Sequence, residues 1–183
     1  MIILKHVFIL HICFICIMNS KIEAIKNAYQ MLPHPEGGFY KETYRSDLLL
    51  VGESLQNGMS GMKSCSTAIL FLLVENSFSA FHRIKSDEVW HFYDGDPVDI
   101  HVIESDGHYR KIKLGRNPLQ KEVFQAVVPA GAWFASKTEG AYSLVGCTVS
   151  PGFDFADFEL AKAEGLATEF PDHRELIYSF CRD

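Results

Sequence analysis

Residues 81–95, FHRIKSDEVWHFYDG, place His82, Asp87, Glu88 and His91 within ten positions. They are threaded through Phe81, Val89, Trp90, Phe92 and Tyr93. Such charges either alternate with core as solvated surface or stand in a pocket whose walls are the aromatics. A strand over residues 88–93 would put Glu88, Trp90 and Phe92 on one face, with Asp87, Val89, His91 and Tyr93 on the other, because side chains two apart share a side. A carboxylate beside Trp and Phe is costly to bury without a partner. Partly buried carboxylates of this kind are candidates for ligand binding or proton transfer.

The elements that would position these groups are mostly strands. Ser20-Lys21-Ile22-Glu23 has the form of a capping box, and Ile22, Ile25, Tyr29 and Leu32 recur at helical spacing. A helix over residues 21–32, stopped by Pro33, is predicted. A rigid, then flexible turn follows at His34-Pro35-Glu36-Gly37-Gly38, and residues 39–45 (FYKETYR) alternate as a strand. Residues 46–63 have no clean period and are expected to form a loop. Beyond residue 66 the pattern predicts strands at 67–74, 78–84, 88–93, 98–103, 109–114, 122–128, 132–136 and 141–149, separated by Gly-, Pro- and Asp-rich turns. Many short strands at this spacing imply a sandwich or barrel. Residues 153–161 fit either a strand or a helix entry, and residues 172–180, opened by Pro171, fit a closing helix.

Composition sets outer bounds. A chain of 183 residues with 48% hydrophobic and 22% charged side chains suits one globular domain. A formal charge of −6 and the absence of a Lys/Arg run argue against a nucleic-acid polymer as partner. Residues 7–18 (VFILHICFICIM) are apolar apart from His11, but shorter than the roughly 20 residues that span a bilayer, so no stable membrane span is expected. We read residues 1–19 as a leader or gene-model extension and residues 20–183 as the domain. The expected location is the cytoplasm, or outside the cell if the apolar stretch is a working signal peptide. Cys65, Cys147 and Cys181 do not make a disulfide framework.

Two short patterns carry a resemblance. Residues 81–95 resemble the first motif of the cupin superfamily, with His82, Ile84, Glu88 and Gly95 at its His, His, Glu and Gly positions. Pro129-Ala130-Gly131 resembles the second motif, with Phe134 where that motif has His. Across most of residues 20–180 the segments PHPEGG, ETYRS, FHRIKSDEVWHFYDGDP and SPGFDF resemble one branch of cupins with no settled function, similar in fold to sugar-nucleotide epimerases of the deoxythymidine-diphosphate-rhamnose pathway. The resemblance implies a mainly β fold, a double-stranded β-helix or jelly-roll barrel, with an N-terminal and a C-terminal helix. Because Ile84 and Phe134 cannot coordinate a metal, no metal and no other cofactor are expected.

On that barrel His82 and Glu88 would point inward as an acid–base pair, or as a hydrogen-bonded remnant of a lost metal site. His34 and Glu36 in the turn, Tyr44 and Arg45 at a strand end, and Trp90, Phe92 and Phe134 on the walls are the expected ligand-binding set. Arg45 would serve as an anion ligand or as half of a surface ion pair. The function this implies is an isomerase or epimerase acting on a sugar-like or nucleotide-linked small molecule with His82 as acid/base. The alternative is a non-catalytic small-ligand-binding protein on the same barrel. Cupins commonly pair through sheet edges and N-terminal segments, so a homodimer covering the edge of the 39–45 strand is expected. Light scattering at micromolar concentration should return a dimer, and a monomer alone would refute this.

Overall fold

The computed structural model describes residues 18–51, 55 and 58–182; the leader expected over residues 1–19 lies outside them, except for residues 18 and 19. Those two already belong to the first helix, α1, which spans 18–29. Its described part therefore already includes the three residues before the predicted start, it ends about one turn before the predicted end, and Ser20 sits inside it rather than capping it. Gln30 closes it with a left-handed backbone (φ 51°), and Met31 N–H bonds back to the Lys26 carbonyl at 2.9 Å. Leu32–Pro33 then forms a two-residue strand, β1, against Tyr40 and Phe39. Proline is tolerated there because an outermost strand needs no N–H on its free side. The apolar face of α1 (Met18, Ile22, Ile25) packs on Met31, Leu72 and Tyr142, and Lys21 Nζ meets Asp94 Oδ2 at 3.0 Å.

The remaining strands are β2 (Phe39–Arg45), β3 (Leu49–Val51), β4 (Met62–Ser64), β5 (Thr67–Val74), β6 (Ser79–Ile84), β7 (Asp87–Gly95), β8 (Val98–Ile103), β9 (Tyr109–Leu114), β10 (Gln125–Val128), β11 (Trp133–Thr138), β12 (Tyr142–Ser150) and β13 (Phe158–Leu160). Two short helices, α2 (Ala163–Glu169) and α3 (Arg174–Ser179), follow. A six-stranded sheet has the order β1-β2-β5-β12-β7-β10, and a five-stranded sheet the order β13-β6-β11-β8-β9. All their ladders are antiparallel. From β5 to β8, and again from β10 to β13, each strand lies in the sheet opposite its predecessor. That alternation closes a jelly-roll barrel with a helix at either end of the chain.

Further parts of the chain refine or change the sequence expectation. The 46–63 loop contains the hairpin β3–β4, whose three-residue strands are too short to leave a period. The 122–128 strand shortens to β10 because Glu122 turns its carboxylate onto the Asn117 N–H at 2.8 Å. Residues 153–161 form a 3-10 turn (Phe155–Asp157) and the short β13 on the edge of β6. The closing helix is a 3-10 turn, Pro171–His173, running into α3, and α2 precedes it.

Strand β6 is buried on both sides, which explains why residues 79–84 are almost all covered. Phe81 faces outward into a cluster with Ala161, Leu166 and Ile177, while His82 faces into the barrel at 2% exposure. Most of the interior is filled by a cluster that includes Phe71, Trp90, Phe92, Val102 and Phe134. Burying each such side chain contributes roughly 1.5–3 kcal/mol, so the barrel can leave one end polar. The turn carrying His34 and Glu36 docks at that end. Ala80 N–H donates to the Glu36 carbonyl at 2.8 Å, and the turn is closed by Gly37 N–H to His34 O (3.0 Å) and His34 N–H to Gly38 O (3.1 Å).

Gly37 has φ +113°, and a Cβ there would collide with the Phe78 carbonyl oxygen. Gly37→Ala is therefore expected to cost about 1–3 kcal/mol, a fall in thermal midpoint of roughly 2–4 °C per kcal/mol for a domain of this size. A wild-type midpoint in a melting curve would show that the turn is not held as described.

Candidate functional site

The polar end of the barrel holds a cavity of about 390 Å³. Its floor on the six-stranded sheet consists of rows of directly paired residues. Arg45 lies opposite Thr67, Glu42 opposite Ile69, and Tyr40 opposite Phe71, and all six line the cavity. Cys147 and Val149 of β12 extend the first two rows. On β7 only Glu88, opposite Val149, reaches the cavity. His82 and Ile84 face it from β6, His34 and Glu36 from the docked turn, and Phe153, Asp154 and Phe155 from the segment before β13.

One irregularity decides which residue of β2 stands at the mouth. Regular alternation from Tyr40 and Glu42 would bring Tyr44 to the cavity. The ladder with β5 instead shifts register between Glu42 and Tyr44, so Thr43 is an extra residue and the face changes. Arg45 takes the cavity position, and Tyr44 is 54% exposed. Trp90, Phe92 and Phe134 also differ from their expected placement. They point inward as strand parity predicts, but they fill the interior: Trp90 packs edge-on against Phe71 (5.9 Å) and Phe134 (6.4 Å). Phe134 backs the His82 ring at 4.0 Å. The apolar walls are Tyr40, Ile69, Phe71, Ile84, Phe153 and Phe155. Of the expected set, His34, Glu36, Arg45, His82 and Glu88 do come together around one cavity.

The partner of His82 is Glu36. Its Nε2 lies 3.1 Å from Glu36 Oε2, and His34 Nδ1 lies 3.2 Å from the same oxygen. Ser79 Oγ donates to Glu36 Oε1 at 2.8 Å, and His82 Nδ1 is 2.7 Å from the Ala80 carbonyl. Burial alone would push the Glu36 carboxyl up, but the His82 and His34 rings and the Ser79 hydroxyl outweigh it and hold Glu36 below the usual range. Burial also lowers the proton affinity of His82, with Glu36 and the Ala80 carbonyl opposing it in part. A neutral His82 that donates Nδ1–H to Ala80 directs its Nε2 lone pair at the cavity-side carboxylate. The ring is thus poised to take up a proton at Nε2, where Glu36 would stabilise the imidazolium.

Glu88 is in the reverse situation. Burial and then the nearby Glu36 charge push its carboxyl up to about 8. The Cys147 thiol opposes this weakly, as does the Trp90 indole N–H, which is too poorly placed to count as a hydrogen bond and has no other partner. The Cys147 thiol is itself held well above its usual range, first by burial and then by Glu88. One carboxyl of the cavity is therefore ionised at neutral pH and the other protonated.

The comparison with known proteins adds a lineage to this geometry. The family model described as Cupin superfamily (DUF985) matches residues 23–161. The chain belongs to the cupin superfamily. The uncharacterised protein YML079W of Saccharomyces cerevisiae is 31% identical over 157 residues, 79% of this chain and 77% of that protein. A hypothetical protein from Leishmania major superposes with a TM-score of 0.80 at 34% identity, covering 88% of this chain and 98% of that one. Protein SO0799 from Shewanella oneidensis gives 0.79 at 34% identity, over 87% and 96%. Oxalate decarboxylase of Bacillus subtilis shares the fold alone, at 14% identity and a TM-score of 0.50 over 36% of its chain.

The cupin metal positions do not fit a metal in this chain. Ile84 and Phe134 offer no donor atom, and both nitrogens of His82 already face protein oxygens. Among the described residues no group of three or more His, Cys, Asp or Glu is arranged to hold an ion.

The sequence pointed to His82, Glu88, His34, Glu36 and Arg45 but missed Tyr40, Glu42, Phe153, Phe155 and Cys147. The Phe-x-Phe alternation at 153–155 was a usable signal for the wall. Nothing local marks Glu42 or Cys147, whose placement follows from ladder register.

Glu88 gives a pH test with a definite sign. Its carboxyl titrates near 8 when folded, against 4.5 for an ordinary glutamate. Between those values the folded state holds a proton that the unfolded state has lost, so stability falls as pH rises through that window. Glu88→Gln should flatten this slope and raise the melting temperature relative to wild type at pH 8 more than at pH 5. Parallel melting curves across that range would disprove the assignment.

Proposed function

We propose that this cupin is an isomerase or epimerase of a small hydroxy-carbonyl compound, sugar-like or sugar-derived, with Glu36 and His82 as base and Glu88 as acid. The observation that carries the reading is the opposed state of two carboxyls in one cavity. Environments that push two titratable groups apart are the usual way a site provides acid and base at one pH.

In this scheme the ligand lies against Phe71, Phe153 and Phe155. The Glu36–His82 pair removes a proton from the carbon next to the carbonyl, and the proton stays on His82 Nε2. The negative charge moves to the carbonyl oxygen, where the protonated Glu88 donates a hydrogen bond to it. Return of the proton to the other face gives the epimer; return to the neighbouring carbon, with a hydroxyl proton moved, gives the isomer. Positioned acids and bases of this type contribute about 10²–10⁴-fold each.

A second reading is supported by the same walls. An apolar pocket with a few placed polar groups is also what a binding protein needs, and the Glu36 network is rigid enough to serve as a hydrogen-bonding floor.

Solvent exchange separates the two. In deuterated water, NMR of a sugar panel should show deuterium entering next to the carbonyl with wild type, and His82→Ala and Glu36→Gln should each slow this by at least about 100-fold. Ligands that bind, seen by calorimetry, but gain no deuterium would replace the isomerase with the binding protein.

A further inference from the structure

The charges around the cavity bear on what form its ligand takes. Resting on the cavity assigned above as the ligand site, we infer that it accepts an uncharged hydroxylated molecule and turns away the phosphorylated and nucleotide-linked forms of the same molecule. Among the described residues four carboxyls line it, Glu36, Glu42, Glu88 and Asp154, against one guanidinium, Arg45, and no lysine.

Arg45 is already committed. Its Nε and Nη2 hold the two oxygens of Glu42 at 3.0 and 2.6 Å, and Nη1 and Nη2 reach the Phe153 carbonyl at 3.3 and 3.2 Å. Part of this pair is solvent-exposed and would open at small cost, but opening it leaves the Glu42 carboxylate beside any incoming anion. Lys63, the partner of the lining Asp154, is buried and fixed between Asp154 (2.9 Å) and Asp157 (2.7 Å).

Backbone donors do not fill the gap. Phosphate sites are commonly built at helix N-termini or on successive free N–H groups. Here the cavity wall is mostly strand side chains. In the short turn Phe155–Asp157 the Ala156 N–H is already bonded to the Asp154 carboxylate at 2.9 Å. A phosphate would meet the carboxylates of Glu36, Glu42 and Asp154, with Arg45 and Lys63 already paired to two of them.

Uncharged hydroxyl groups meet the opposite conditions. They can donate to Glu36, Glu42 and Asp154 and accept from Glu88. The C–H faces of a sugar ring suit Tyr40, Phe71, Phe153 and Phe155. The cavity thus has matched partners for a polyol and none for an ester dianion.

The test is calorimetric titration of full-length protein with free hexoses and pentoses, their monophosphates, a nucleoside-diphosphate sugar and an amino sugar. The uncharged sugars should bind at least about tenfold more tightly than their phosphates, since one unfavourable charge contact is worth that much. Glu42→Gln, which releases Arg45, should shrink the ratio several-fold. Asp154→Asn, which keeps the turn cap through its amide oxygen, provides the same readout if the first variant fails to fold. Equal or tighter binding of phosphorylated or nucleotide-linked sugars to wild type overturns the inference. So does a preference for the protonated amine, an unmoved ratio in the folded variants, or no binding of uncharged sugars at millimolar concentration. Deuterium exchange plays no part in this readout. A protein that prefers uncharged sugars but exchanges nothing would lose the isomerase reading and keep this one.

Discussion

A carboxylate left 6% exposed inside a barrel is tolerable only where its surroundings compensate it, and Glu36 has the Ser79 hydroxyl donating to it and the His82 and His34 rings at 3.1 and 3.2 Å. Leaving such a charge unpartnered costs about 3–5 kcal/mol, comparable to a large fraction of a domain's whole stability. The network therefore constrains much else. It requires the turn at 33–38 to dock on β6 through the Ala80 N–H, and it fixes the His82 ring between two acceptors. It also raises the Glu88 carboxyl by placing a negative charge nearby. The acid of the site exists partly because the base is ionised.

The jelly roll supplies the space for this. A fully apolar interior would close over the same volume, since the cluster around Phe71, Trp90, Phe92 and Phe134 already fills the rest of the barrel. The open end survives because the residues that would fill it belong to two segments outside the main strands, the 33–38 turn and the 153–155 stretch. Both present aromatic or polar groups to the cavity rather than packing into it.

Much of the fold was legible in the sequence. Alternation gave β2, β8 and β9 to the residue, because each is long enough to show a period and is bounded by turn chemistry, and β5 was legible as a continuous apolar run with β-branched ends and a turn after it. The hairpin β3–β4 and the early end of α1 were not legible: one is too short for periodicity, and the other depends on Gln30 adopting a left-handed backbone. Of the site, the residue types were readable but their pairing was not. His82 and Glu88 lie six positions apart and invite a link. The carboxylate that meets His82 comes from a turn 46 residues earlier, as the Ser79–Glu36 bond 43 residues apart also records. Contacts of that range leave no trace in local pattern.

The extra residue on β2 acts as a phase shifter. Before Thr43 the even-numbered side chains look into the cavity, and after it the odd-numbered ones do. The chemical character of the rim is thus stored in the bulge as well as in the letters of the chain. Closing the bulge with every residue retained would exchange a guanidinium for a phenol at the mouth, whereas deleting Thr43 would straighten the ladder and leave Arg45 opposite Thr67. The bulge is a spacer that lets the strand carry one more residue without changing which side chain its mouth presents.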